Sequence, residues 1–221
     1  MFPTQAQTKA ILEDSTKTVI GSIKEAMRHG LVIQRIIGRL QRFGLNLNPY
    51  YLFREGDGVE QMRWPALADE FPSSVLDPEY LPALADCTEW ATVGRLQDRL
   101  DKGHLCIVIL HQGQIAGYTW ADFDEVNDAA CDFSLGPGEA YLYDAFVAPA
   151  HRGLGLAPYL RCESYKHLRR AGRTTFYSIS DYFNSPAIRF KQKLNAEVVR
   201  LYLQIKLGDK QVGQWVLKNY R

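Results

Sequence analysis

Glu139 to Ala157 reads EAYLYDAFVAPAHRGLGLA. From Tyr141 to Val147 this run supplies the aromatic and β-branched residues that suit a strand. Pro149 has no amide hydrogen to give to a ladder and ends it. Arg152-Gly153-Leu154-Gly155-Leu156-Ala157 then opens a helix with small residues, where backbone amides can approach an anion closely and the helix start adds partial positive charge. A strand entering such a turn is a cradle for a pyrophosphate. Two other phosphate loops are excluded. A P-loop needs a Gly-Lys-Ser/Thr ending, which is absent, and a dinucleotide fingerprint needs a third glycine where Pro158 stands.

Around this stretch strand and helix patterns alternate. Tyr50–Glu55 reads as the strand that starts a compact domain, and Gly56–Asp77 as irregular chain. Pro78–Leu100 has helix patterning in two pieces; Trp90, Val93, Leu96 and Leu100 form one stripe of the second, with Thr88 as its cap. His104–His111 is a continuous apolar run, as expected of a strand covered on both faces. Gln112-Gly113 turns it back into Gln114–Phe123, and the polar Asp124–Pro137 reads as a loop. After the cradle comes a helix, Gly155–Ala171, with Leu156, Leu160, Ser164 and Leu168 inward. A strand follows at Arg173–Ser180, then a helix capped by Ser185 with Pro186 first, running to Leu194. Two strands, Glu197–Leu207 and Gln211–Tyr220, flank a turn at Gly208-Asp209-Lys210.

Upstream, Ser15–Phe43 has helical apolar spacing and one-sided charge: Lys17, Lys24, Arg28, Arg35, Arg39 and Arg42 against Glu25 alone. Ser15 is its expected cap, Gly44 its end, and Leu45–Pro49 a linker. Residues 1–48 thus read as a basic amphipathic helical extension and 49–221 as the main domain. Such a helix suits packing on its own domain or on a second subunit of a homodimer. An acidic partner, such as an acyl carrier protein, is an alternative, and an anionic membrane surface is a less favoured one.

A length of 221 residues fits one domain with an extension, and a net charge of +1 gives no argument for a nucleic-acid partner. Cys87, Cys106, Cys131 and Cys162 form no C-x-x-C pair and the histidines no H-E-x-x-H, so reduced thiols and no metal are expected. Met1-Phe2-Pro3-Thr4-Gln5 lacks the basic and apolar segments of a secretory leader, and a cytoplasmic location is expected.

Arg152, Gly155 and Ala157, placed just after Phe146-Val147-Ala148-Pro149, resemble the signature of the GNAT superfamily of N-acetyltransferases, Arg/Gln-x-x-Gly-x-Gly/Ala after a bulged strand. The order of elements from residue 50 to 220 is similar to that family's as well. The resemblance implies an α/β (α+β) fold with a mixed, mostly antiparallel sheet that parts between the cradle strand and the Arg173 strand. It also implies transfer of an acetyl or other acyl group from acetyl-CoA or another acyl-CoA to an amine of a small molecule or protein. Backbone of Phe146, Val147 and Ala148 would bind the pantetheine, amides of Gly153, Leu154, Gly155, Leu156 and Ala157 the pyrophosphate, and Arg152 would add charge. Asn184 matches an asparagine that contacts the arm, though it equally suits a helix cap.

The chemistry needs a group that takes a proton from the amine and one that protonates the thiolate. Asp144 interrupts a hydrophobic strand and is the first candidate base; it equally suits a structural acid. Glu139 is the alternative at the strand's start. The family's tyrosine acid falls on Lys191 here and its Gly-Phe on Asn195-Ala196, so either Tyr143, Tyr177 or Tyr182 replaces it or no side-chain acid is needed. A non-catalytic acyl-CoA-binding module, or an enzyme taking its acyl group from a carrier protein, would share the cradle.

Overall fold

A computed structural model of the protein describes residues 31–59, 62–88, 91–128 and 131–220. Its elements begin with α1 (Leu31–Gln41), β1 (Leu45–Glu55), α2 (Pro65–Glu70), β2 (Ser73–Val75), α3 (Leu81–Asp86) and α4 (Val93–Asp101). Next come β3 (Leu105–His111), β4 (Gln114–Asp122), β5 (Glu125–Asp128), β6 (Cys131–Ser134) and β7 (Glu139–Val147). The last are α5 (Leu156–Arg170), β8 (Thr175–Asp181), α6 (Ser185–Lys193), β9 (Glu197–Leu207) and β10 (Lys210–Asn219).

The chain divides into a smaller unit, Met1–Leu47 with Ile205–Gly213, and a larger one, Asn48–Gln204 with Gln214–Arg221. In the smaller unit Gly44, at φ +80°, ends the turn after α1, and its carbonyl accepts from Gly208 N at 2.7 Å. Ser15, the first half of the expected basic helix and Trp90 lie outside the described residues; Arg35, Arg39 and Arg42 are exposed. Leu45–Asn48 is strand rather than the expected linker. Leu-Asn-Leu-Asn alternates with the period of a strand, and Pro49 lies within β1, its carbonyl accepting from Tyr182 N at 3.0 Å.

Eight strands form one sheet in the order β10-β9-β1-β8-β7-β4-β3-β2. β1 pairs antiparallel with β8, and β2, β3, β4 and β7 pair antiparallel in succession; β7 with β8 is parallel. The mixed sheet flanked by helices is the architecture the sequence predicts. β3 shows why its apolar run is continuous. Cys106 and Val108 pack toward α3 and α4 with Leu84 and Leu96, while Ile107 and Ile109 pack toward Leu156 and Leu160 of α5. All are at most 3% exposed, and each full burial of such an aliphatic side chain stabilises the fold by about 1.5–3 kcal/mol.

Four local expectations are corrected. The predicted loop Asp124–Pro137 holds the β5–β6 pair, whose buried Val126 and Cys131 alternate with solvated polar residues. The irregular stretch Gly56–Asp77 holds α2 and β2. The cap of α4 is Thr92, whose Oγ1 accepts from Arg95 N at 3.4 Å, not Thr88. The cap of α6 is Asn184, whose Oδ1 accepts from Ala187 N at 3.1 Å, not Ser185.

Candidate active site

The site exists because β7 and β8 separate. They pair only from Glu139–Thr175 to Tyr141–Tyr177, and each then continues without the other, β7 along β4 and β8 along β1. A bulge in β7 adds to the divergence. Opposite β4, Tyr118 pairs with Phe146 and Trp120 with Tyr143, so Asp144 and Ala145 together face Thr119. Asp144 takes the left-handed conformation, φ +50°, which aspartate tolerates better than most residues. Thr119 Oγ1 donates to Tyr143 O at 3.1 Å and closes the bulge.

The gap is a cleft of about 430 Å³. Ala145, Phe146 and Val147 line one wall, Leu160 and Arg161 of α5 the floor, and Asn184, Ala187 and Phe190 the α6 side. At its mouth a cavity of about 190 Å³ is lined by Val147, Arg152, Gly153, Gly155 and Ala157. Gly153 and Gly155 sit at φ +85° and +81°, open only to glycine without strain. A Cβ at either would meet nothing within 4 Å among the described residues. Gly155 caps α5 without a side chain, and the first-turn amides receive no side-chain partner there. Pro158 gives no amide, which confines the donors to the residues before it.

The expected cofactor residues therefore come together, with different backbone roles. Ala148 is committed within the fold, its N donating to Ala116 O at 2.9 Å and its O accepting from His151 N at 2.9 Å. Arg152 Nε donates to Val147 O at 3.2 Å, which ties the loop to the end of β7. Leu154 is exposed, and Asn184 borders the cleft while capping α6.

The catalytic candidates do not converge. Asp144 Oδ2 accepts from Arg99 Nη1 at 2.7 Å; burial raises its carboxyl above the usual value and Arg99 opposes the shift. Glu139, at the other end of β7, accepts from Gly136 N at 2.7 Å and Tyr177 OH at 3.0 Å. Tyr143 faces α4, across the sheet from α5, and borders a polar cavity of about 410 Å³ with Arg99, Lys102, His104 and Asp122.

Below the cleft lies a cluster that sequence reading misses. Glu55, at the end of β1, is 1% exposed and accepts from Tyr165 OH at 2.6 Å and from Ser178 Oγ. Arg161 Nε lies 3.5 Å and Lys191 Nζ 3.6 Å from its oxygens. Burial alone would raise the Glu55 carboxyl, but Arg161 and Lys191, with the two hydroxyls, outweigh it and hold the group below its usual value. Burial pulls Lys191 down to about 8. Arg161 is 4% exposed and its Nη1 has no hydrogen-bond partner among the described residues. Its one visible signal is a charged residue beside Leu160 on the inward side of α5.

Residues 64–196 match the family model described as Acetyltransferase (GNAT) family. The sequence matches no curated protein. Among solved structures, a GNAT-family acetyltransferase of Novosphingobium aromaticivorans, described as putative, is similar with a TM-score of 0.53 at 19% identity, over 74% of this chain and 66% of that one. A tandem GNAT protein from the clavulanic acid biosynthesis pathway gives 0.55 at 14% identity, over 79% and 55%. A Drosophila protein gives 0.55 at 15%, over 80% and 57%. The chain thus spans between half and two thirds of the length of these three structures. Among the described residues no group of three or more His, Cys, Asp or Glu is placed to hold a metal, and no helix is long and apolar enough to cross a membrane.

Proposed function

The chain belongs to the GNAT family of acetyltransferases, and from that premise we propose that it moves an acetyl group from acetyl-CoA to the nitrogen of an amine. The observation that carries this reading is the cleft where β7 leaves β8, with a left-handed glycine loop and the start of α5 at its mouth. A linear arm fits the cleft, with its diphosphate on the amides of Gly153–Ala157, where the helix dipole favours negative charge. Arg152 adds charge at the mouth, Phe146 and Val147 offer strand backbone to the arm, and Asn184 borders it from α6.

Such a pose puts the thioester at the bulge, beside Ala145. The amine then approaches from the side of Tyr143 and Asp144, and its nitrogen attacks the carbonyl as the C–S bond breaks. The acceptor is proposed only as a class, a primary amine of a small molecule or a protein.

Two measurements test the reading. Calorimetry with acetyl-CoA reads donor binding, and thiol release over glucosamine, lysine, spermidine and a lysine-containing peptide reads transfer. Binding with thiol release supports an acetyltransferase. Binding without release from any acceptor favours a non-catalytic acyl-CoA-binding module, and no binding removes the cradle assignment.

A further inference from the structure

On the α4 side of the sheet, three side chains from β4, β7 and the residue before β3 form one line of polar contacts. Asp122 Oδ2, at the end of β4, lies 3.3 Å from His104 Nε2, just before β3. His104 Nδ1 lies 2.6 Å from the hydroxyl of Tyr143 on β7. The Asp122 and His104 side chains are only 8% and 17% exposed, and Asp122 Oδ1 is held by the amides of Asp124 (2.9 Å) and Glu125 (3.3 Å). The carboxylate needs a donor from Nε2, so the imidazole carries its hydrogen there, and Nδ1 is left to accept from Tyr143. The line thus has one direction, from the phenol inward to the carboxylate.

Its outer end is well placed. Tyr143 immediately precedes the bulge at Asp144 that borders the donor cleft, and it also lines the 410 Å³ polar cavity. Asp144, the carboxylate nearest the bulge in sequence, is already engaged by Arg99.

We propose that Tyr143, His104 and Asp122 are the proton outlet for the acceptor amine. This rests on the acetyltransferase reading above. The ammonium of the acceptor gives a proton to the Tyr143 oxygen as the Tyr143 proton passes to His104 Nδ1, and Asp122 stabilises the imidazolium through Nε2–H. The freed lone pair forms the N–C bond and the C–S bond breaks. A second proton leaves the nitrogen with the departing thiolate, giving an amide and a thiol, and His104 returns its proton to water. Tyr143 touches the amine in this scheme; His104 and Asp122 act through it.

The charged surroundings suit the task. Burial holds His104 below its usual range, with Arg99 of α4 and Lys102 just after it acting in the same direction and Asp122 and Asp124 opposing. The imidazole is therefore neutral, and able to accept, at neutral pH.

The test uses the full chain, acetyl-CoA and the four acceptors named above. His104→Gln is expected to lower kcat/KM about 100-fold at pH 7, the low end for a lost acid–base group. It should leave acetyl-CoA affinity unchanged, remove the acidic limb of the pH profile, and regain rate as pH approaches the amine's own pKa. Tyr143→Phe should do the same, and Asp122→Asn should shift the limb to lower pH. If the parent releases thiol and His104→Gln keeps the parent's profile, the relay is overturned and the enzyme reading stands. If the parent binds acetyl-CoA and releases no thiol from any acceptor, both fall. Nitrogen NMR of the imidazoles needs no acceptor: His104 protonated at Nε2 supports the line, and protonated at Nδ1 overturns it.

Discussion

Asp144 and Arg99 meet at 2.7 Å, with side chains 21% and 22% exposed, at the residue where β7 turns left-handed. The guanidinium lies 5.1 Å from the Trp120 ring and 5.0 Å from that of Tyr143, so α4 fixes the bulge through one arginine. Arg99→Met should therefore leave a partly buried carboxylate without its counter-charge and cost about 1–3 kcal/mol. Burial already raises this carboxyl. A raised acid favours its neutral form in the folded state, so the penalty should shrink as pH falls from 7 to 5. Urea melts at the two pH values check it, and an equal penalty at both would assign the loss to packing.

The glycine loop separates strain from ligand space. Gly155→Ala should cost about 1–2 kcal/mol, the penalty for a left-handed L-residue, because nothing among the described residues lies within 4 Å of the new Cβ. Gly155→Val should fold as well but lose acetyl-CoA affinity by at least about tenfold, a difference of about 1.4 kcal/mol. Calorimetry beside a thermal melt distinguishes the two effects; unchanged affinity in a folded Gly155→Val chain would remove the phosphate assignment.

Glu55→Gln tests the buried cluster. It leaves Arg161 and Lys191 without their carboxylate, and breaking a buried pair from one side costs about 3–5 kcal/mol. The folded-state carboxyl is held below its unfolded value. Its stabilisation is thus present above the unfolded pKa and lost as pH falls through the folded one. The parent should show that acid loss in denaturant melts and Glu55→Gln should lack it.

Gly117→Ala reaches the cleft wall from behind. A Cβ there would stand 2.8 Å from Phe146 O and 3.2 Å from Ile109 Cδ1. The strand must move, since a carbonyl of the ladder has no rotamer to change. The variant should lose about 1–3 kcal/mol, the usual cost of overpacking, and weaken acetyl-CoA binding by shifting the β7 wall of the cleft. Retained affinity would show that the position of this wall does not govern donor binding.

What the sequence disclosed follows the range of the forces involved. β7, the glycine loop and the inward stripe of α5 are local patterns, and Leu156, Leu160, Ser164 and Leu168 are all buried as the spacing predicts. β5 and β6 escaped because each buries a single residue of its four, which leaves a polar run. Leu45–Asn48 escaped because Pro49 outweighed a two-residue alternation. The competition for the α6 cap went to Asn184 over its neighbour Ser185, a difference of one residue between two good capping types. Glu55, Arg161 and Lys191, like Asp122, His104 and Tyr143, are joined only by tertiary pairing, and no spacing announces them.

The place of β1 in the sheet governs how the protein can be made. Its flanking strands are β8 and β9, and Tyr50 waits for Asp181. A ribosome releases β1 long before either neighbour exists, with two open edges and the side chains of Leu52 and Phe53 uncovered, although they end at 2% and 0% exposure. Unpaired apolar edges recruit other chains, and closing so distant a pairing is slow. The half of the sheet that carries Glu55 beneath the cleft is therefore assembled last, after translation has passed β9, and nascent chains stalled before that point should depend on chaperones to stay soluble.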